Sequence, residues 1–173
     1  MVDVKFYCAF DKMVKVRDLI PNPQNPNKHP QEQIELLATI IEQNGWRAPI
    51  TVSKRSGMVV KGHGRLLAAA HLGLAEVPVD FQEYESDAME LADLMADNRI
   101  AELSYIDKRK LLNLFEEFDT GEVDFSLSGY DEEFYKELAH SFDEYEKKEE
   151  KKEEKVETTK LINCPNCGFR IEV

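Results

Sequence analysis

Apolar residues recur at helical spacing early in the chain, at Ile34, Leu37, Ala38 and Ile41, and Gly45 follows as a stop. This pattern predicts an amphipathic helix over Gln31–Gln43. The period then shortens. Pro49–Lys54 and Met58–Val60 are β-rich runs, and the Lys54-Arg55-Ser56-Gly57 stretch at their junction suits a hairpin turn. From Arg65 to Leu72 the residues are strong helix formers, and Gly73 is a good terminator. A further strand is expected at Val77–Phe81, followed by helices at Ser86–Ala96, Asp107–Phe118 and Asp131–Phe142. The order of elements reads as an α+β domain.

Beyond Phe142 the pattern stops. Residues 143–160 hold eight acidic and six basic side chains and almost nothing apolar, so they cannot bury a core. Like charges fall four apart (Lys147 and Lys151, Glu149 and Glu153, Glu150 and Glu154), which opposes a helix that propensity alone would permit. The expectation is a solvated linker, helical at most in part. The organisation is thus a domain with a helical extension over 1–142, a charged linker over 143–160 and a short tail over 161–173.

Charge limits the partners. The whole chain carries a net −12, but residues 1–65 hold ten basic and six acidic residues, whereas 66–142 hold five and nineteen. Non-specific affinity for DNA comes mainly from cations neutralising phosphates. An anion site therefore belongs to the first half, and a nucleotide suits this chain better than a duplex. No apolar run approaches the roughly 20 residues that span a bilayer, and the N-terminus does not read as a signal peptide. A cytoplasmic protein without membrane contact is expected.

The chemistry concentrates at Lys61-Gly62-His63-Gly64-Arg65, at a strand-to-helix junction. Two glycines permit a tight turn with exposed N–H groups, and the new helix points its positive end at that turn. Arg65 adds a forked cation. Such a turn wants an anion. The competing reading is a plain glycine-rich connection in which Arg65 pairs with a surface carboxylate.

The segments around this turn decide between the two. In order they are Asn25-Pro26-Asn27-Lys28-His29, a helix, Gly45-Trp46-Arg47-Ala48-Pro49-Ile50, then Val59 through Ala69 with the turn inside it, Val77-Pro78-Val79 and Ala96-Asp97-Asn98-Arg99. Together, over about residues 14–142, they resemble the ParB-like N-terminal domain of the ParB/sulfiredoxin-like superfamily, in the style of phage, mobile-element or methyltransferase-associated members. The resemblance implies a small mixed sheet with surrounding helices and a turn that grips nucleotide phosphates. It implies that Gly62, His63, Gly64 and Arg65 hold the phosphates of CTP or ATP, that Asp97 and Asn98 hold Mg2+, and that His29 and Arg99 lie near the nucleotide.

Departures from the family pattern narrow the expectation. Partition proteins carry a second arginine where this chain has His63-Gly64, which loosens the implication of CTP. Sulfiredoxins carry a cysteine where His63 stands, so their chemistry is excluded. The helices after Asp107 are acidic and too few for a helix-turn-helix module, so duplex binding by this chain alone is not expected.

Two histidines could take part in chemistry. His63 could act as a general acid or base, because its unperturbed pKa lies near neutrality, or it could merely brace the turn. His29 could contact the ligand or stabilise its own loop. Trp46 is expected in or beside the core, and His71 buried or at a boundary.

The tail ends in Cys164-Pro165-Asn166-Cys167-Gly168, a Cys-x-x-Cys knuckle. Structural Zn2+ takes four ligands and this segment supplies two. Either two chains share one ion, giving a homodimer, or a histidine or partner protein completes the set, or the thiols are free.

Three functional readings remain. The first is an Mg2+-dependent nucleotide switch or slow triphosphatase in a phage or mobile-element DNA process. In the second, a metal-dependent nuclease, His63 and Asp97 are the catalytic pair. The third is a silent adaptor that recruits a DNA-associated protein through its acidic helices and tail.

Overall fold

The computed structural model describes residues 4–118, 125–157, 161–163, 167 and 170–172. Contacts divide the chain into two units. One comprises Met1–Ile106 with Ser126–Gly129, and the other Asp107–Phe125 with Tyr130–Val173.

The first unit is built on a five-stranded mixed sheet. Its strands are β1 (Lys12–Lys15), β2 (Ile20–Pro21), β3 (Ile50–Ser53), β4 (Met58–Lys61) and β5 (Glu76–Gln82), in the spatial order β1-β5-β3-β4-β2. β3 runs parallel to β5 and antiparallel to β4, while β2 lies parallel to β4. Three helices accompany the sheet: α1 (Gln31–Asn44), α2 (His63–His71) and α3 (Asp87–Glu102). This mixed α+β architecture agrees with the expectation from the sequence.

β3 is buried at all four positions, which explains its run of Ile50, Thr51, Val52 and Ser53 without polar alternation. Ile50 and Val52 join Ala38 and Ile41 of α1 and Leu66, Ala68 and Ala69 of α2 in one core. Trp46 is fully buried there, and its backbone forms a bridge with Phe6. On the other face, α3 closes over the β3–β4 hairpin by polar contacts. The buried Glu90 carboxylate accepts hydrogen bonds from the hydroxyls of Ser53 and Ser56. A carboxylate in such a place is tolerable because both oxygens are bonded.

Pairing between β3 and β4 changes register between Thr51 and Val52. Thr51 faces Lys61 and Val52 faces Val59, so Val60 is an extra residue on β4. Such a bulge bends its strand and re-aims the residues beyond it. Here the re-aimed chain leads straight into Gly62.

Several expected boundaries move. α2 begins at His63 rather than Arg65, because Gly62 takes the N-cap position. α3 runs on to Glu102, so Asp97, Asn98 and Arg99 are helical. His71 is exposed, at the end of α2.

The second unit contains α4 (Lys108–Phe118) and α5 (Glu132–Glu157). Phe115 lies at its centre, with ring centroids of Phe125, Tyr130 and Tyr135 at 5.0, 5.2 and 5.7 Å. Leu112 and Leu138 are buried with it. α5 continues to Glu157, through most of the segment expected to be a linker. The helix propensity of Lys and Glu prevails there over the like-charge pairs. Two short strands, β6 (Leu161–Asn163) and β7 (Arg170–Glu172), then pair antiparallel. No helix among the described residues is long and apolar enough to cross a membrane.

Candidate phosphate-binding site

The turn begins where β4 ends. Gly62 has φ +91°, a left-handed conformation that side chains rarely adopt, and it caps α2. No side chain caps this helix end. The first N–H groups of a helix have no intrahelical acceptor, and with the helix dipole they form an anion-binding end. Glycine is required for space as well. A Cβ at position 62 would stand 3.0 Å from Nη2 of Arg65.

Arg65 therefore lies folded against the turn that precedes it. Its Nη2 donates to the carbonyl of Pro49 at 3.1 Å, and its Nε is buried without a partner. Burial lowers its pKa from the ordinary arginine value, while Asp97 and Cys8 act in the opposite sense. A guanidinium in this state is held in place and still short of acceptors.

Gly64 serves the opposite wall. A Cβ there would come within 3.3 Å of the His29 ring and 3.5 Å of Leu37. Its absence lets the loop before α1, and α1 itself, close on the turn. The imidazole of His29 is set by a 3.1 Å hydrogen bond between Nδ1 and Oε1 of Gln33.

A cavity of about 230 Å³ lies between these parts, lined by Gly62, His63, Gly64 and Arg65 on one side and by His29, Asp97 and Asn98 on the other. Asp97 is exposed at this cavity. Asn98 donates its amide to Leu94 O at 3.2 Å and to Oδ1 of Asn25 at 3.4 Å. A second cavity of about 220 Å³ adjoins the first and shares His29, His63 and Asn25 with it.

Six of the sequence-derived residues beside Gly62 thus converge on one hollow. Arg99 does not. It is exposed and pairs with Glu102 at 2.9 Å. A larger hollow of about 750 Å³ opens elsewhere, among Phe6, Met13, Val16 and Leu74. Its lining is mainly apolar, with Lys15, Arg17 and Glu76 as its charged members, and it contains none of the sequence-derived site residues.

His63 lines both cavities. Its Nε2 accepts the backbone N–H of Asn22 at 3.2 Å. Burial lowers its pKa below 6.5, aided by nearby His29 and opposed by Asp97.

Sequence reasoning passes over several supporting residues. Asn22 is buried, and its Oδ1 accepts the N–H of Gln24 at 2.9 Å. Lys61 pairs with Asp93 of α3 at 2.9 Å, and Asp93 also accepts the Tyr84 hydroxyl at 2.8 Å. This ties the strand that launches the turn to the helix that carries Asp97. The repeated asparagines at 22, 25 and 27 are the available signal for the loop; Asp93 gives none.

Among the described residues no three His, Cys, Asp or Glu side chains are grouped to hold a metal. The Zn2+ expectation rests on Cys164, which lies outside the described residues, and on Cys167, which is exposed in a turn.

The sequence profile of the ParB N-terminal domain matches residues 9–98. The ParB-like nuclease domain-containing protein YnaK of Escherichia coli K12 is 36% identical over 64 residues, spanning 37% of this chain and 72% of that protein. In structure, the chain is similar to C-terminally truncated ParB of Caulobacter crescentus complexed with CTP-γ-S. The TM-score is 0.51 at 23% identity, over 61% of this chain and 60% of that one. The same partition protein complexed to the centromeric parS site gives a TM-score of 0.44 at 20% identity, over 61% and 55%. The chain thus spans three fifths of the length of the truncated partition protein, and the likeness is one of fold.

Proposed function

The chain belongs to the ParB N-terminal domain family, within the ParB/sulfiredoxin-like superfamily, and on that premise we propose that it grips the phosphates of CTP or ATP together with Mg2+. The ligand serves as a switch or a slowly hydrolysed signal in a phage or mobile-element DNA process. The observation that carries this reading is the uncapped start of α2 behind a left-handed glycine, with Arg65 beside it and Asp97 across the cavity.

Mg2+ prefers hard oxygen donors and is usually shared between one or two carboxylates and substrate phosphates. Asp97 and the amide oxygen of Asn98 fit as its protein donors, because Asn98 commits its nitrogen, not its oxygen, to Leu94 and Asn25. Bound Mg2+ would neutralise phosphate charge that Arg65 and the helix end do not reach. His29 borders the same space.

Thermal melts with CTP, ATP, GTP and ADP, with and without Mg2+, test this reading. A ligand at 100 times its Kd stabilises by about 2.7 kcal/mol. At least one triphosphate should raise the melting temperature, and Asp97→Asn should remove the Mg2+-dependent part of the rise. A melting curve that none of the four moves would sink the proposal.

The name of the Escherichia coli relative favours a second reading, cleavage of DNA with His63 and Asp97 at the phosphodiester. The net charge of −12 opposes it. Nicking of a plasmid with Mg2+ or Mn2+ that vanishes in Asp97→Asn would establish this activity in place of the switch.

For the tail, we propose a Zn2+ ion shared between two chains through Cys164 and Cys167, giving a homodimer. The pairing of β6 with β7 supports this by bringing together the ends of the segment that holds both thiols. Native mass spectrometry showing a monomer unaltered by chelator would reject it. Triphosphates and reduced thiols both suit a cytoplasmic setting, which belongs to the same proposal.

A further inference from the structure

His63 borders both cavities at the turn, yet its ring is not free to act in either direction. Nε2 accepts the backbone N–H of Asn22. A backbone amide can only donate, so Nε2 must carry its lone pair there. In a neutral imidazole the other nitrogen then bears the proton.

The donor that imposes this is itself fixed. Asn22 is buried, its Oδ1 accepts from the Gln24 amide, and its carbonyl accepts from the Asn25 amide at 3.1 Å. The loop cannot easily turn that N–H away. Nδ1 has no hydrogen-bond partner among the described residues, and it is not among the buried unpartnered atoms. It therefore reaches open space, and the open space that His63 borders is the pair of cavities at the turn.

We propose that His63 is a pre-set neutral hydrogen-bond donor, its Nε2 held as an acceptor by Asn22 and its Nδ1–H offered to an oxyanion of the ligand seated at the turn. This deepens the nucleotide reading and rests on it. Nδ1 already holds its proton and Nε2 is engaged, so His63 binds phosphate oxygen and does not take up a proton as a base. The Asn22 loop becomes part of the phosphate site through one ring, although Asn22 borders only the adjoining cavity.

Two measurements on the full chain test this. Long-range 1H–15N correlation spectra of the free protein near pH 7.5 report the tautomer. The His63 ring should show a protonated Nδ1 and an unprotonated Nε2; the reverse assignment overturns the inference. Binding of inorganic tripolyphosphate is then compared for the wild type, His63→Asn and His63→Gln. The asparagine amide nitrogen can stand near Nδ1, whereas that of glutamine reaches toward Nε2.

His63→Asn should bind within about threefold of the wild type and His63→Gln about tenfold or more weakly, the scale of a hydrogen bond to a charged group. Equal losses, or a stronger loss in the asparagine variant, would overturn the donor role. The two failures are distinct. A wild type that binds no tripolyphosphate removes the phosphate site and this inference with it. One that binds it while showing a protonated Nε2 removes this inference alone.

Discussion

The two walls of the cavity are made in different ways. One wall is a single stretch of chain, Gly62 to Arg65, whose shape follows from two glycines and the first turn of a helix. The other is gathered from separate places: Asn25 and His29 from a loop, Gln33 and Leu37 from α1, Asp97 and Asn98 from α3. The first can form as soon as β4 meets α2. The second exists only once the sheet, α1 and α3 have packed. Under the proposed function the local wall would supply the affinity, and the composite wall would decide what fits against it.

The largest effect that would sharpen this contrast comes from Arg65. Arg65→Ala removes a held cation with unsatisfied donors and should weaken nucleotide binding by about 2–3 kcal/mol, or ~30- to 150-fold by calorimetry. Near-normal affinity would move the main phosphate grip to the composite wall and break the comparison.

A smaller loss is expected from Gly62→Ala, measured as folding stability in urea. The left-handed conformation costs an alanine about 1–2 kcal/mol, and its methyl group would also press on Arg65. Gly57→Ala is the natural control, because Gly57 has φ +75° and nothing within 4 Å of its absent Cβ. The excess loss at position 62 isolates the contact with Arg65. Equal losses would mean that the guanidinium simply moves aside.

Least in size is a pH effect at the seam between the walls. Burial lowers the His63 pKa below 6.5, so the folded state favours the neutral ring. The stability this represents is present above about pH 6.5 and is lost as pH falls through the lowered value. The uptake also places a proton on Nε2, against the Asn22 N–H. Urea midpoints between pH 7.5 and 5 should therefore fall more steeply for the wild type than for His63→Asn. Parallel profiles would show that the ring is not coupled to the loop.

The same contrast explains what could be read in the sequence. Gly62-His63-Gly64-Arg65 announces itself because each residue acts on its neighbours within one helical turn. The strands β3 and β4 are legible as well, since Ile50, Val52, Val59 and Val60 are apolar and β-branched. Asn22 is not, because its work depends on a residue 41 positions away. Glu90, to the eye one more charge on an acidic helix, is buried against Ser53 and Ser56, which lie in a hairpin 34–37 positions earlier.

β1 escapes notice because Lys12-Met13-Val14-Lys15 is too short to show a period. The pattern ends α3 early, at Ala96, since its apolar residues are spread around the helix and Met95, Ile100 and Leu103 remain exposed. His71, expected at least partly buried, points to solvent because the core face of α2 is already supplied by Leu66, Ala68 and Ala69.

The extra residue at Val60 gives the site a bearing. One residue more on one strand than on its partner bends that strand and increases its local twist. Deleting Val60 would leave Lys61 opposite Thr51 and Val59 opposite Val52 in a plain ladder, and would take out the bend that now aims the end of β4 into Gly62. Length in β4 is therefore as much a specification as composition. An intact Gly-x-Gly-Arg string on a strand one residue shorter would spell the motif without presenting it.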